Sequence, residues 1–289
     1  MSIAVFSVIY PNALPYFNEF LNSLAKQTYK DFTLFLVNDG VSSIEEVIRR
    51  FDLNIILKNI GGTPPAIRKA GIGWILEQGA DIIIFADSDD CFMDNRTEIS
   101  KSMLSCHDIV FNELICFGEN IQQPFSMLKN RFKEGEVLSK GKVKYSNCMG
   151  FSNTAISTKC ITKSLSQIPD DIIAFDWAFF SLCLQERKIA MFTAKTATYY
   201  RLHENNIASP RSFTEDQILR GVHVKRDHYR FISRFGNEYD SISNEFVQLF
   251  ERLKKDTTLR DKYCQEVKNQ SPSSPLWWES IKTLEELGL

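Results

Sequence analysis

Residues 81–90, DIIIFADSDD, join an apolar run directly to a cluster of carboxylates. The run from Asp81 to Ala86 is short and rich in isoleucine, which is typical of a strand buried on both faces of a parallel sheet. Asp87 and Asp89 follow it at once, and open α/β sheets bind their ligands at the carboxyl ends of their strands. The stretch therefore predicts an α/β fold with a ligand site at this edge of the sheet. In isolation, the same polar residues would also suit an acidic turn or a helix cap.

Before this stretch, the chain alternates strand-like runs with helical periods, which is typical of βαβ units. Pro15 suits the first turn of a helix, and Ser43 with Glu46 predicts a capping box. We therefore expect a mostly parallel sheet with crossover helices. In chain order the predicted elements are strand 3–9, a helix from Pro15, strand 33–38, a helix from Ser43, the weaker strand 54–57 and helix 66–78.

Beyond Asp90 the periodicity weakens. The segment from Gly118 to Ser146 is polar and carries lysines, so we predict a loop that becomes ordered over the sheet on binding. The remaining predicted elements are helix 175–186, strands 189–192 and 196–201, and helices 215–235, 238–253 and 275–287. We therefore divide the chain into an α/β domain at residues 1–206, which would carry the site, and a C-terminal helical region at 207–289.

The composition argues against several classes of partner. The 289 residues carry 34 basic and 36 acidic side chains, so no overall field attracts nucleic acid or anionic lipid. The seven cysteines lack C-x-x-C spacing, which indicates reduced thiols in a cytoplasmic protein rather than a zinc or redox site. No apolar run approaches the roughly 20 residues of a membrane span. Trp277-Trp278 could make a peripheral contact at the inner face of a membrane, although core packing is the commoner role of such a pair.

The D-x-D pair of Asp87 and Asp89 offers hard oxygen ligands of the kind that Mg²⁺ or Mn²⁺ prefers. Such ions usually take one or two protein carboxylates together with phosphate oxygens of a substrate. The pair therefore suits a nucleotide diphosphate held through a divalent cation.

Further polar residues are expected at the same edge of the sheet. Asp39 follows the predicted strand 33–38 and could accept the imide N–H of a uracil, although an Asp-Gly turn explains it equally well. Arg68 follows a glycine and proline loop whose backbone amides could cradle an anion. Arg201 and His203 share one strand face and could meet a diphosphate, whereas a solitary histidine is usually structural.

Asp176 is placed by the sequence at the start of a helix, in Ala174-Phe175-Asp176-Trp177. A carboxylate there is stabilised by the helix dipole and by free backbone N–H groups. A simple N-cap is the competing interpretation.

Taken in order, these segments resemble glycosyltransferase family 2, whose members have the GT-A fold. The resemblance covers residues 3 to 208 and consists of four motifs in the expected order. The matching stretches are FSVIYPN at 6–12, SLAKQTYKDF at 23–32 with VNDG at 37–40, FADSDD at 85–90, and Tyr200-Arg201-x-His203-x-x-Asn206.

The resemblance implies a role for each matching residue. Asp39 would contact the uracil, Asp87 the ribose or the metal, and Asp89 the metal. Asp176 would be the catalytic base. The remaining matches are the donor-binding residues Pro11, Arg68, Ser88, Arg201 and His203, of which His203 would also reach the metal. The sequence departs from the family at Pro64-Pro65, which alters the loop before Arg68, and at Phe175, where an acidic residue is common. Asp170 and Asp171 therefore remain rival bases.

We therefore expect a metal-dependent inverting glycosyltransferase that moves a hexosyl or N-acetylhexosaminyl group from a nucleotide-sugar, with UDP as the favoured carrier. The acceptor would be a hydroxyl group of a saccharide or a lipid-linked saccharide, as in bacterial-type surface glycan synthesis. Two alternatives stay open. A catalytically silent GT-A module would bind a nucleotide-sugar or a partner protein, and a nucleotidyltransferase would need a phosphate loop that Tyr10-Pro11-Asn12-Ala13 lacks.

Overall fold

The computed structural model describes residues 1–119, 121–161, 163–185, 188–202, 214–270 and 277–289. Within these residues one mixed sheet of ten strands forms the centre of the fold. The strands are β1 Ile3–Ile9, β2 Thr33–Asn38, β3 Ile55–Asn59, β4 Ile82–Phe85, β5 Cys91–Phe92, β6 Ile109–Phe117, β7 Phe125–Ser126, β8 Val137–Leu138, β9 Thr154–Ser157 and β10 Ala190–Arg201.

The helices cover both faces of the sheet and continue beyond it. They are α1 Leu14–Ala25, α2 Ile44–Ile48, α3 Pro64–Glu77, α4 Arg96–Leu104, α5 Lys140–Val143, α6 Phe175–Gln185, α7 Glu215–Ile232, α8 Asp240–Lys255 and α9 Thr257–Asn269. None of the helices in the described part of the chain is long and apolar enough to span a bilayer.

The strand order is β3-β2-β1-β4-β9-β6-β10-β5, with β7 paired to β6 and β8 paired to β10. Strands β3, β2, β1 and β4 are mutually parallel, as the βαβ pattern predicts. Strand β9 is antiparallel to both of its neighbours, and β10 runs parallel to β6. The half of the sheet formed by β3, β2, β1 and β4 is therefore parallel. The carboxyl ends of β2 and β4 meet at one edge of this half, and the predicted site residues Asp39 and Asp87 follow them there.

The first strands are apolar throughout because both of their faces are covered. Phe17, Phe20, Leu21 and Leu24 of α1 are buried against one face. Helix α3 packs on the other face, and its closest approach is at Gly71, where an added Cβ would lie 2.5 Å from the ring of Phe6. A substitution at Gly71 would therefore push α3 away from β1, and with it the side chain of Arg68.

Several predicted elements differ from the structure. Ser43 has a left-handed backbone (φ 54°) and its side chain caps nothing, so the predicted capping box at Ser43 and Glu46 is wrong. The strands predicted at 189–192 and 196–201 form one strand, β10, with a register shift between Thr193 and Ala197. The predicted loop 118–146 contains β7, β8 and α5, and it buries Met127, Leu128, Leu138 and Val143 in the core.

The C-terminal region also differs in part. Helices α7 and α8 match the prediction, whereas α9 was not predicted. The helix predicted at 275–287 is absent from the described residues 277–289, which contain two short 3-10 turns instead. Helix α7 packs directly on α6, where the rings of Trp177 and His228 stack 3.6 Å apart. The proposed boundary at 206/207 lies outside the described residues.

Candidate active site

A cavity of about 280 Å³ opens beside the carboxyl end of β4. Asp87, Arg68 and Asp176 line it together, although Asp87 follows β4, Arg68 lies in α3 and Asp176 lies in α6. The sequence predicted all three as site residues, and the fold brings them to one place. The volume is near the lower end of the range of roughly 300–1,000 Å³ for ligand pockets, so the cavity suits a sugar ring more than an extended chain.

Asp87 is held by two neighbours. The hydroxyl group of Ser152 donates to Asp87 Oδ2 at 2.7 Å, and a guanidinium nitrogen of Arg68 lies 3.6 Å from Asp87 Oδ1. Arg68 in turn lies over the ring of Phe151, 5.0 Å from its centroid. Burial raises the pKa of Asp87, with a further contribution from the charge of Asp89, and Arg68 opposes this rise.

The carboxylates after β4 fit a divalent cation. Asp89 is buried, and its Oδ2 atom accepts from the hydroxyl group of Tyr10 at 3.4 Å. Asp90 is also buried, and its Oδ2 atom has no hydrogen-bond partner among the described residues. Burial raises the pKa of Asp90 well above its usual range, and the charges of Asp89 and Asp87 add to the rise. A cation would relieve this crowding of negative charge.

The ligand set for such a cation would be incomplete without a substrate. No cluster of three or more His, Cys, Asp and Glu side chains suited to metal binding exists within the described ranges. Asp89 and Asp87 would supply the protein oxygens, and phosphate oxygens and water would supply the others, as is usual for Mg²⁺ and Mn²⁺.

Asp176 lies in the first turn of α6 and is fixed at both oxygens. Its Oδ1 atom accepts from the backbone N–H of Trp177 at 2.8 Å, and its Oδ2 atom accepts from the side chain of Asn147 at 3.1 Å. Burial raises the pKa of Asp176, the charge of Arg68 lowers it, and the charge of Asp87 raises it further. Gly150 leaves room beside the carboxylate, because an added Cβ would lie 3.5 Å from Oδ2.

The rival bases Asp170 and Asp171 are placed differently. Neither lines the cavity. Asp170 forms an ion pair with Lys69, and its backbone carbonyl accepts from the hydroxyl group of Thr63 at 2.6 Å. Asp171 is exposed. Of these three carboxylates, Asp176 alone lines the cavity.

Three predicted donor-binding residues lie at neighbouring strand ends. Asp39 is partly exposed after β2, in a turn that Asn38 braces by accepting from the N–H of Val41 at 2.9 Å. Gly40 completes the turn with φ 80°. Pro11 is exposed in a 3-10 turn after β1. The hydroxyl group of Ser88 is buried and donates to the carbonyl of Val8 at 2.8 Å, so this hydroxyl stabilises the strand end.

Arg201, at the end of β10, is engaged by protein groups. Its Nε atom donates to the carbonyl of Asp89 at 2.8 Å, and its guanidinium pairs with Glu19 at 2.6 Å. Its backbone N–H donates to Asp90 Oδ1 at 2.8 Å. Arg201 therefore braces the loop that carries the D-x-D pair. His203 lies outside the described residues.

The sequence did not reveal two parts of the cavity wall. Glu113 is buried and accepts backbone N–H groups of Leu114, Met127 and Leu128, which fixes the segment after β7 against the cavity. Lys225 of α7 also lines the cavity and is buried. A signal existed for Lys225, because it interrupts the apolar stripe of α7 at 218, 222, 229 and 232, where lysine is rarely buried.

Comparisons with known proteins support the fold and the sequence resemblance. Residues 6–104 match glycosyl transferase family 2. No curated protein matches the sequence. Residues 1–349 of S. aureus TarS in complex with UDP-GlcNAc share 20% identity at a TM-score of 0.63, covering 86% of this chain and 72% of TarS 1–349.

Two further solved structures share the fold at lower identity. The mannosyltransferase PcManGT from Pyrobaculum calidifontis, in complex with GDP-Man and Mn²⁺, is 13% identical at a TM-score of 0.54, covering 80% of this chain and 64% of its own. GalNAc-T7 with UDP, GalNAc and Mn²⁺ is 12% identical at a TM-score of 0.62, covering 99% of this chain and 56% of its own. These likenesses show a common GT-A architecture, and residues 6–104 are similar in sequence to glycosyl transferase family 2.

Proposed function

We propose that the protein transfers a sugar from a UDP-sugar to a hydroxyl group, with inversion at the anomeric carbon and with the help of Mn²⁺ or Mg²⁺. The observation that carries this proposal is the arrangement of Asp87, Arg68 and Asp176 around one cavity. Arg68 suits the departing diphosphate directly, and Asp87 suits it through a bound cation. Asp176 suits the attacking hydroxyl group.

Asp176 would act as the general base. Its two hydrogen bonds fix the carboxylate and leave lone pairs for an acceptor proton. A base works best when its pKa approaches the operating pH, and burial raises the pKa of Asp176 in that direction. Because one base removes the acceptor proton while the diphosphate leaves from the opposite face, the reaction is a single displacement that inverts the anomeric carbon.

The donor would lie across the strand ends. Asp39 would accept the imide N–H of the uracil, and Arg68 would face the diphosphate, with which its guanidinium can form paired hydrogen bonds. A cation held by Asp89 and Asp87 would offset the negative charge of the leaving diphosphate. Pro11 and His203 would complete the donor site. TarS and GalNAc-T7 were solved with UDP or a UDP-sugar, which supports the choice of uracil.

The cellular compartment and the class of acceptor are inferred from chemistry more than from geometry. No disulfide joins the seven cysteines, which all lie in the described part of the chain, and five of them are buried, a pattern typical of a cytoplasmic protein. A saccharide or lipid-linked saccharide would bring the acceptor hydroxyl group, as in the synthesis of bacterial-type surface glycans. Trp278 packs against the core and lines the cavity, so we assign it to the site rather than to a membrane contact.

Calorimetry of UDP binding tests this proposal. UDP should bind with Mn²⁺ and lose most of its affinity in EDTA or in Asp89→Asn. Asp39→Asn should cost roughly 1–3 kcal/mol, because an amide NH₂ would then face the imide donor. Asp52→Asn, an exposed aspartate remote from the strand ends, is the control and should bind as the wild type does. Equal UDP affinity with and without EDTA would overturn the role of the metal.

A further inference from the structure

The cavity has a second wall, which the C-terminal region supplies. Arg220, Lys225 and Trp278 line it together with Asp87 and Asp176. Helix α7 reaches the site because it packs on α6, directly behind the base: the ring of Trp177, the neighbour of Asp176, stacks on His228 of α7. Residues that lie far along the chain from the nucleotide-binding strands therefore face the reacting centre.

The position of Asp176 indicates whether the donor or the acceptor contacts this wall. Asp87 and Arg68 lie where the leaving diphosphate is expected, and the acceptor hydroxyl group must attack the anomeric carbon from the opposite face, with Asp176 close enough to take its proton. The acceptor would therefore lie beside Asp176, in the cavity that residues of α7 also line. The α7 wall belongs to the acceptor, and its chemistry indicates what the acceptor carries.

Lys225 is a buried cation that is only partly satisfied by the protein. It is 6% exposed, and its ammonium group donates to the carbonyl of Ile281. An ammonium group has three protons, and among the described residues no carboxylate lies within ion-pair distance of Lys225. Burial lowers the pKa of Lys225 to about 8, so most of the population is protonated at neutral pH.

Glu286 and Glu279 are the two carboxylates whose charges act on Lys225, and both already have hydrogen-bond partners in the protein. Glu279 pairs with Arg131 at 2.6 Å and accepts from the hydroxyl group of Ser146. Glu286 accepts from the backbone N–H of Thr283 at 2.7 Å. Arg220 adds a second cation at the exposed edge of the same wall, and it has no ion pair within the described part of the chain. A buried charge is costly unless it is paired, so the buried ammonium group of Lys225 favours an anion in the cavity.

We propose that Arg220 and Lys225 bind an anionic group of the acceptor, a phosphate or a carboxylate carried close to the hydroxyl group that attacks. This inference rests on the proposed function and specifies its substrate class. A neutral sugar would leave Lys225 without a counter-ion, whereas a sugar phosphate, a polyol phosphate, a lipid-linked saccharide or a uronic acid would supply one.

The test is calorimetry with the protein saturated with UDP and Mn²⁺, using glucose, glucose 6-phosphate and glucuronate as probes. We expect the two anionic probes to bind roughly ten-fold or more tightly than glucose, the usual effect of a hydrogen bond to a charged group. Preference for glucose 6-phosphate over glucuronate would identify phosphate as the anion, and the reverse preference would identify a carboxylate. Equal binding of all three probes would overturn the inference.

Variants locate the anion site. Arg220→Gln and Lys225→Met should lose most of the preference for the anionic probes and keep the UDP affinity of the wild type. Arg230→Gln is the matched control, since it removes the same charge from the exposed outer side of the same helix. Lys225→Met also removes the contact with Ile281, so Arg220→Gln decides the matter if Lys225→Met does not fold.

Two outcomes separate this inference from the proposed function. If Arg220→Gln weakens UDP binding, the two cations serve the donor and the assignment to the acceptor is wrong. If UDP itself does not bind the wild-type protein, the proposed function fails before any acceptor probe is added.

Discussion

The hydroxyl group of Ser152 donates to Asp87 Oδ2 at 2.7 Å, and so joins the segment before β9 to the first carboxylate of the D-x-D pair. Ser152 is itself fixed, because its carbonyl accepts from the hydroxyl group of Thr198 in β10 at 2.8 Å. The orientation of Asp87 therefore depends on a contact between β4, the segment before β9 and β10. No motif in the sequence marks this contact.

Ser152→Ala should weaken UDP binding in the presence of Mn²⁺ by roughly 2- to 10-fold, the usual effect of one hydrogen bond. The reason is that Asp87 would lose the donor that orients it. Calorimetry of UDP with each variant measures the effect. Ser105→Ala, which removes an exposed hydroxyl group whose bond is local, should bind UDP as the wild type does. Equal affinity in both variants would show that Ser152 does not orient Asp87.

Arg68→Gln should move the acid limb of the kcat–pH profile to higher pH. The charge of Arg68 lowers the pKa of Asp176, and without it burial would raise that pKa further. The base acts only when it is deprotonated, so turnover would be lost at a higher pH than in the wild type. The profile should be recorded at saturating donor, because Arg68→Gln also weakens donor binding.

Lys69→Gln is the control for Arg68→Gln. Lys69 is the next residue on α3, and its ammonium group pairs with Asp170 outside the cavity. It should leave the acid limb in place. An acid limb that stays at the wild-type pH in Arg68→Gln would show that Asp176 does not set it.

His228 should make the protein less stable as the pH falls below 6.5. The side chain is fully buried, neither ring nitrogen has a hydrogen-bond partner among the described residues, and burial lowers its pKa to about 3. Between these two values the unfolded chain binds a proton that the folded chain does not. The free energy of unfolding should therefore fall, by about 2 kcal/mol between pH 7 and pH 5 from this group alone.

His228→Phe keeps a flat ring against Trp177 and removes the titrating group, so this part of the decrease should disappear. Urea unfolding at pH 7 and pH 5 measures the difference. His223→Gln, at a 41% exposed position on the same helix, should keep the decrease. If His228→Phe lost as much stability as the wild type between the two pH values, another group would be responsible.

The first ninety residues could be read well from the sequence because local patterns determine them. The apolar runs of β1 and β2 and the spacing of Phe17, Phe20 and Leu24 report burial directly. The carboxyl ends of β2 and β4 follow from the same pattern, so Asp39, Asp87 and Asp89 could be placed on one edge of the sheet. The prediction of Ser43 as a cap was wrong. Its backbone is left-handed, so its side chain does not reach the free N–H groups of the helix, and the residue type alone does not indicate this conformation.

The rest of the site depends on contacts between distant segments. Strand β9 lies antiparallel between β4 and β6, and no hydrophobic pattern in its own sequence predicts this position. The segment after β7 is polar in composition, yet Glu113 fixes it by accepting its backbone N–H groups. The part that α7 plays in the cavity follows from packing between α6 and α7, so the sequence could suggest a helix there and not its position over Asp176.

The most direct test of the account is to compare Asp176→Asn with Asp170→Asn and Asp171→Asn, by turnover and by UDP affinity, once a donor and acceptor pair is known. Asparagine keeps the size of the side chain and can still accept from the N–H of Trp177, so Asp176→Asn should fold and bind UDP nearly as the wild type does. Its turnover should fall by roughly 10²- to 10⁴-fold, the usual contribution of a positioned base, and both controls should keep theirs. Full turnover in Asp176→Asn, with loss in either control, would contradict the assignment of the base.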